Sequence, residues 1–375
     1  MFHVLFSLPC WYLIVRFILP MPWMLSAKIA LAVLLLLASQ YHLYCRLSSG
    51  SVFSPEFPRA VVMFFNWAFG AILLTTVFQI IVDLGTLLTI LIQQRSITIP
   101  VGIRYSIGTA ALLLAAIAVQ QAARIPPIKD MEFAIKNLPK EFEGYKILQL
   151  TDLHISRLFN EQWTRKVVDK SNDLNVDLIV ITGDLIDGSI SARERDIAPL
   201  RDLYAPDGVY VIDGNHEYFF NSAAWMQHFS SLNMIPLANS HALLKRGEAQ
   251  MVLAGVTDAS APETGLPPPD LKQALAGIPK DVPIILLDHQ PKNARDAADL
   301  GVDLQLSGHT HGGMILGMDS LVAMANGGFV SGLYKLTDMQ LYVNNGTALW
   351  PGFALRLGKP SELTRITLRQ APTSK

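Results

Sequence analysis

Two hydrophobic rhythms divide the chain. As far as Ala123, apolar residues run almost unbroken. Four stretches, His3–Pro20, Ser26–Cys45, Ala60–Val82 and Ser106–Ala123, each reach about 18 residues or more, the length at which an apolar run predicts a membrane span. The third can be extended through Leu84–Ile92, which allows tilt or an interfacial turn. The first run lacks a basic start and a small-residue cleavage site, so a retained helix is preferred over a signal peptide. These runs predict an all-α bundle of about four transmembrane helices over 1–123.

From Arg124 the runs shorten and alternate with polar helical patterns. Pro126-Pro127 stops the last long helix. Met131, Phe133 and Ile135 then alternate with polar residues and predict a strand that opens the second domain, 124–375. Short apolar runs at Ile147–Leu150, Asp177–Thr182 and Gly208–Ile212 read as buried strands, with helices expected at Glu161–Asn172 and about Ala192–Leu203. Such alternation predicts right-handed crossovers and a parallel sheet. Further on, His241–Arg246 and Gln250–Val256 read as a hairpin. Val282–Leu287 and Asp303–Leu306 read as strands flanking the helix Ala294–Leu300. Met339–Val343 and Leu363–Leu368 read as antiparallel strands, with Asn345-Gly346 suited to a hairpin turn.

Charge follows the same division. Residues 1–122 carry six Lys or Arg and two acids, and the rest of the chain carries 24 basic and 29 acidic groups. The second part is therefore mildly acidic, which argues against a nucleic-acid partner. Asp83 is the one acid at possible membrane depth, and it lies near a span end, where an interfacial position is expected. The basic residues are too evenly spread to set sidedness. Both cysteines, Cys10 and Cys45, lie in the apolar runs, so the second domain needs no disulfide.

The chemistry gathers where the apolar runs end. Ile147–Leu150 leads to Asp152 and His154, and the next strand leads to Gly183-Asp184 and Asp187. Later tips carry Gly214-Asn215-His216-Glu217, then His289, then Gly308-His309-Thr310-His311-Gly312-Gly313. Ligands bind beyond the carboxyl ends of strands in open α/β sheets. Carboxylate with imidazole suits a divalent cation such as Mn, Fe or Zn. Five of the nine histidines fall at these tips. One strand-end histidine means little, but a repeated pattern is hard to explain as packing.

The order D-x-H, GDxxD, GNHE, H, GHxH resembles the calcineurin-like metallophosphoesterase superfamily over about Lys129–Leu368. GHTHGG and the closing Pro360-Ser-Glu-Leu-Thr are similar to its YkuE-like bacterial branch. That resemblance implies a four-layer α/β/β/α sandwich and two divalent metal ions (Mn, Fe or Zn). It implies one ion held by Asp152, His154, Asp184 and His311, and the other by Asp184, Asn215, His289 and His309, with Asp184 bridging. His216 would face the substrate phosphate as the catalytic residue and assist the leaving group. A hydroxide held between the ions would attack, because metal binding lowers the pKa of water.

Asp187 is expected as a supporting group or helix cap, and Glu217 either tunes His216 or is a solvated acid. Met314, where the branch often has Gln, and Asp288 before His289 are departures that bear on substrate contacts and not on metal binding. The expected function is a phosphoesterase anchored in a bacterial inner membrane. It would hydrolyse a phosphodiester or pyrophosphate on a small molecule or a lipid. A membrane sensor that binds a phosphorylated ligand without hydrolysis is the alternative, although no ligand position is missing.

Overall fold

The structure, a computed structural model, describes residues 2–5 and 7–372. Phe6 and the side chain of His3, both in the first apolar run, lie outside the described residues. The chain divides into two compact units: residues up to Ala123 together with Pro351–Leu357, and Arg124–Trp350 with the chain from Gly358 onward.

In the helical unit, two described helices are long and apolar enough to cross a membrane, Arg59–Gln93 with 35 residues and Val101–Ala123 with 23. The first absorbs the Leu84–Ile92 extension without a break. At 1.5 Å per residue it runs to about 50 Å, well beyond a hydrocarbon layer of about 30 Å. The four apolar runs do not all become spans of this kind. The second run bends by 46° between Leu25–Ser39 and Tyr41–Ser49, and counts as a third span only if that pair is taken together. Polar side chains mark the break: Gln40 Nε2 donates to Ser39 Oγ at 3.0 Å, and Ser39 Oγ donates to Leu36 O at 2.7 Å. Such local bonds compete with the helical ladder. The first run yields two short helical pieces, Phe2–Leu5 and Leu8–Ile18. Pro20 and Pro22 follow the second, and neither has an N–H with which to continue. Apolar composition thus persists where the helix does not.

Asp83 is paired within this unit. Its carboxylate accepts from Tyr12 Oη at 2.6 Å, Gln79 Nε2 at 2.8 Å and the Arg16 guanidinium at 2.9 and 3.1 Å. Residues 351–357 pack among the helices. Asn66 is fully buried, donates to Pro351 O at 2.7 Å and accepts from Ala354 N at 2.7 Å. Arg356 N donates to Ala118 O at 3.1 Å. Leu355 fills the space beside Gly70, where a Cβ would come within 2.8 Å of it.

The second unit holds twelve described strands in two six-stranded sheets. The first sheet comprises β1 (Ile128–Ile135), β2 (Lys146–Leu150), β3 (Leu178–Thr182), β4 (Val209–Ile212), β5 (Ile235–Pro236) and β12 (Leu363–Gln370), in the order β1-β12-β2-β3-β4-β5. The second comprises β6 (Ser240–Arg246), β7 (Ala249–Gly255), β8 (Ile284–Leu287), β9 (Leu304–Ser307), β10 (Gly332–Leu336) and β11 (Met339–Val343), in the order β10-β11-β9-β8-β7-β6. As expected, β2, β3 and β4 are parallel, with the helix Glu161–Asn172 between β2 and β3.

Strand alternation builds the core. Ile147, Val180 and Ile212 of the first sheet pack with Met251, Leu253, Ile285, Leu287, Leu304 and Leu306 of the second. The sheets therefore face one another across a shared apolar layer. On the outer face of the second sheet, Val252, Ile284, Leu286 and Leu341 pack with Ala294 and Ala297 of the helix Ala294–Asp299.

One expected pairing is wrong. β11 and β12 do not form a hairpin across Asn345-Gly346. β11 pairs antiparallel with β10 and parallel with β9, whereas β12 lies in the other sheet between β1 and β2. The hairpin turns at Thr337-Asp338, where Thr337 takes φ 52°. Asn344-Asn345-Gly346 instead carries the chain from one sheet toward the loops that hold Asp152 and His311. A Cβ at Gly346 would lie 2.9 Å from His311 Nδ1.

Candidate metal centre

Every residue singled out as a metal ligand comes to one place. β2, β3 and β4 deliver Asp152 with His154, Asp184, and Asn215 with His216, while β8 and β9 deliver His289 and His309 with His311. The ligand atoms of Asp152, His154 and His311 lie within 4.8 Å of one another, as do those of Asp184, His289 and His309. A third such group, His154, Asp184 and His216, links the two. Asn215 Oδ1 is 3.2 Å from His289 Nε2 and 2.8 Å from His309 Nδ1. His42, His228 and His241 stay out of the cluster; His241, for example, bonds through Nδ1 to Ala274 O at 2.7 Å.

The donor set fits cations. His154 Nε2 and His311 Nε2 face each other at 3.4 Å, and a single proton can serve only one of them. Asp184 Oδ2 is 3.2 Å from His289 Nε2 and 3.8 Å from His154 Nε2. Burial raises the Asp184 carboxyl, but His289, His216 and His154 outweigh it and hold the group well below the usual carboxylate range. Burial, and then the charge of His289, lower His309 to about 3, which keeps its imidazole neutral. An ionised carboxylate and a neutral imidazole are the forms that coordinate metal; burial pushes Asp152 up and, against burial, Asp184 pushes His289 up, so those two groups would give up protons when a cation binds.

The backbone is strained at the candidate ligands. Asp152, His154, Asp184, His309 and His311 all take positive φ, between 43° and 67°. Non-glycine residues there cost about 1–3 kcal/mol each and cluster at functional sites. The turns rely on close approach as well as on strain. A Cβ at Gly183, whose φ is 89°, would meet His289 Nδ1 at 2.7 Å and Gly214 N at 2.8 Å.

Two supporting residues have clearer roles than their sequence context suggested. Asp187 is fully buried and receives His154 Nδ1 at 3.0 Å and His216 Nδ1 at 2.5 Å. It orients two rings at once, as carboxylates behind ligand histidines do. Burial works against a charged His216, but Asp184 and Asp187 outweigh it and raise the ring to about 9. Glu217 is no solvated acid, and its charge adds to the rise of His216. It is fully buried and accepts backbone N–H from Gly214 (2.7 Å), Asp184 (2.9 Å), Leu185 (2.7 Å) and Ile186 (3.3 Å). It clamps the β3 and β4 tips together.

Sequence reasoning missed Thr151 and Phe219. Thr151 Oγ1 donates to Asp152 Oδ2 at 2.9 Å and is fully buried. Phe219 places its ring 5.1 Å from the His216 ring while staying 43% exposed. Neither has a spacing signal; each follows from where its neighbour folds.

Residues 145–313 match the family described as calcineurin-like phosphoesterase. A transmembrane protein with metallophosphoesterase domain from Danio rerio is 33% identical over 271 residues, covering 69% of this chain and 61% of its own length. An uncharacterized metallophosphoesterase from Helicobacter pylori (strain ATCC 700392 / 26695) is 35% identical, covering 65% of this chain and 64% of its own length. YkuE of Bacillus subtilis, also an uncharacterized metallophosphoesterase, is 32% identical over 250 residues, covering 64% of this chain and 86% of its own length. The chain thus spans about three fifths of the length of the Danio relative.

Proposed function

Because this chain belongs to the calcineurin-like phosphoesterase family, we propose that it is a membrane-anchored, dinuclear metal-dependent phosphoesterase. Its substrate would be a phosphodiester or pyrophosphate, with a lipid-linked one favoured by the attached helical unit. The anchor takes in all four apolar runs, with the two long helices crossing the bilayer of a bacterial inner membrane.

One observation carries the reading: Asp184 Oδ2 stands between the two candidate triads, 3.8 Å from His154 Nε2 of one and 3.2 Å from His289 Nε2 of its own. Asp152, His154, Asp184 and His311 would hold one divalent ion, and Asp184, Asn215, His289 and His309 the other. Bound there, two such ions supply Lewis-acid stabilisation of the phosphoryl oxygens and a nucleophile at neutral pH. The chain's own residues do the rest. Asp184 sets the separation of the two subsites. Asp187 holds His154 and His216 by their Nδ1 atoms, so any proton that His216 gives to the leaving oxygen comes from Nε2. Glu217 keeps the Asp184 and Gly214 turns in register.

Hydrolysis of bis(nitrophenyl) phosphate with added Mn tests this. The native chain should turn over and bind two metal equivalents. Asp184→Ala should lose both activity and metal, and an active Asp184→Ala protein would refute the site. His216→Ala should retain metal while turnover falls by roughly 100-fold or more, the scale of a lost general acid.

A further inference from the structure

The chain directly after the metal ligands is too apolar for a water-facing surface. Residues 314–325 read MILGMDSLVAMA, with Asp319 as their one charge. Leu316 is 71% exposed, Leu321 62% and Met324 74%. Among described residues of the second unit, only Tyr204 matches these among large apolar side chains. The helix Asp319–Ala325 has no buried residue at all. Single exposed apolar residues are ordinary, but three within nine positions form a patch of the kind that marks an interaction site.

Chain continuity points to the occupant. Ile315 pairs antiparallel with Gly358, and Asp319 forms an ion pair with Lys359 at 3.2 Å. Leu316 Cδ1 lies where a Cβ at Gly358 would approach to 3.1 Å. Gly358 is joined by one peptide bond to Leu357, the last residue of the segment that packs with the apolar helices. The patch is thus stapled to the chain as it leaves the helical unit. At the other crossing, four residues separate Ala123 from β1, a reach of about 15 Å at most. The lone acid is neutralised by a lysine whose long stem can keep its ammonium in the headgroup layer while apolar neighbours sink below.

We propose that residues 314–325 form an interfacial anchor, inserting Leu316, Leu321 and Met324 into the surface of the bilayer that holds the helical unit. This rests on the membrane reading above. Because His311 is only three residues before Met314, the anchor sets the metal-bearing rim of the domain at headgroup level. The rim would then meet phosphates carried on lipids without the lipid leaving the membrane.

The test uses the full chain in nanodiscs holding one copy each. A polarity-sensitive fluorophore is attached at Leu321→Cys or Met324→Cys, with Tyr204→Cys as an aqueous reference and Leu113→Cys, on the Val101–Ala123 helix, as a lipid reference. The native cysteines are buried. Blue-shifted emission at 321 and 324, quenched severalfold by lipids brominated on the acyl chain, supports the anchor. Water-like, unquenched emission at both, with Leu113→Cys quenched, overturns it and leaves the membrane reading standing. Water-like emission at Leu113→Cys as well overturns both. Shielding that arises only when a lipid phosphodiester is added overturns it by assigning the patch to substrate. Shielding seen in crowded vesicles but lost in single-copy discs overturns it in favour of a second copy of the chain.

Discussion

At the scale of single residues, the groups that matter most after the ligands are those that ligands lean on. Asp187 holds two histidines, so Asp187→Asn should misorient both and lower kcat by roughly 10–100-fold, the usual cost of losing such a supporting carboxylate. Metal titration should show weakened affinity in the same variant, which loss of substrate contact alone would not cause. Glu217 makes a different prediction. Replacing it with Gln puts an amide N–H among four backbone donors, and each donor left unpaired costs about 1–3 kcal/mol. The melting temperature of Glu217→Gln should therefore drop by several degrees even with metal present. The sequence marked Asp187 as a supporting group but not the two rings it holds, and it did not show the backbone bonds of Glu217. Asp187 is 29 residues from His216, and the turn that faces Glu217 with four N–H groups exists only once β3 and β4 are paired.

At the scale of elements, the strand tips were legible because each apolar run stops where its polar residues start. The helix Glu161–Asn172 was legible to the residue, capped by the Asn160 side chain, which accepts from Trp163 N at 3.3 Å. The path after β11 was not. Asn345-Gly346 has the local chemistry of a tight hairpin turn, yet the partner of β11 precedes it and β12 crosses to the other sheet. Local turn preference cannot report which sheet a strand joins. β12 has bonded neighbours on both sides, β1 and β2, and Ile366 and Leu368 lie in the core. Truncation before Leu363 should therefore expose β2 and strand β1. The expected readout is rapid limited proteolysis of the whole second unit, not loss of a terminal tail.

At the scale of the whole chain, composition located the apolar helical unit but overstated its regularity. The Ser39-Gln40 pair breaks a run that hydropathy reads as continuous, and the helices of the first run stay shorter than a span. Nothing in 351–357 looks like a piece of the helical unit by sequence, because seven mostly apolar residues match any buried loop. Its place there depends on Asn66, whose amide bonds Pro351 O and Ala354 N. Asn66→Leu leaves the Ala354 N–H unpaired, while Pro351 O keeps its bond from Tyr41 Oη at 3.1 Å, so hydrogen exchange at Ala354 should speed up by an order of magnitude or more, about 1–3 kcal/mol of lost protection. Exchange unchanged at Ala354 would count against Asn66 as the fastening.

That fastening has a consequence for how the protein could be shed. The backbone passes between the two units three times, at Ala123, Pro351 and Leu357, and not once as in a simple stalked enzyme. A protease nicking Arg124–Pro127 would sever the obvious tether and still free nothing, because the loop remains threaded among the helices like a belt through a buckle. A soluble secreted form would demand a second cut, and a shuffled gene could not transplant the phosphoesterase as one uninterrupted cassette without carrying an orphaned belt along.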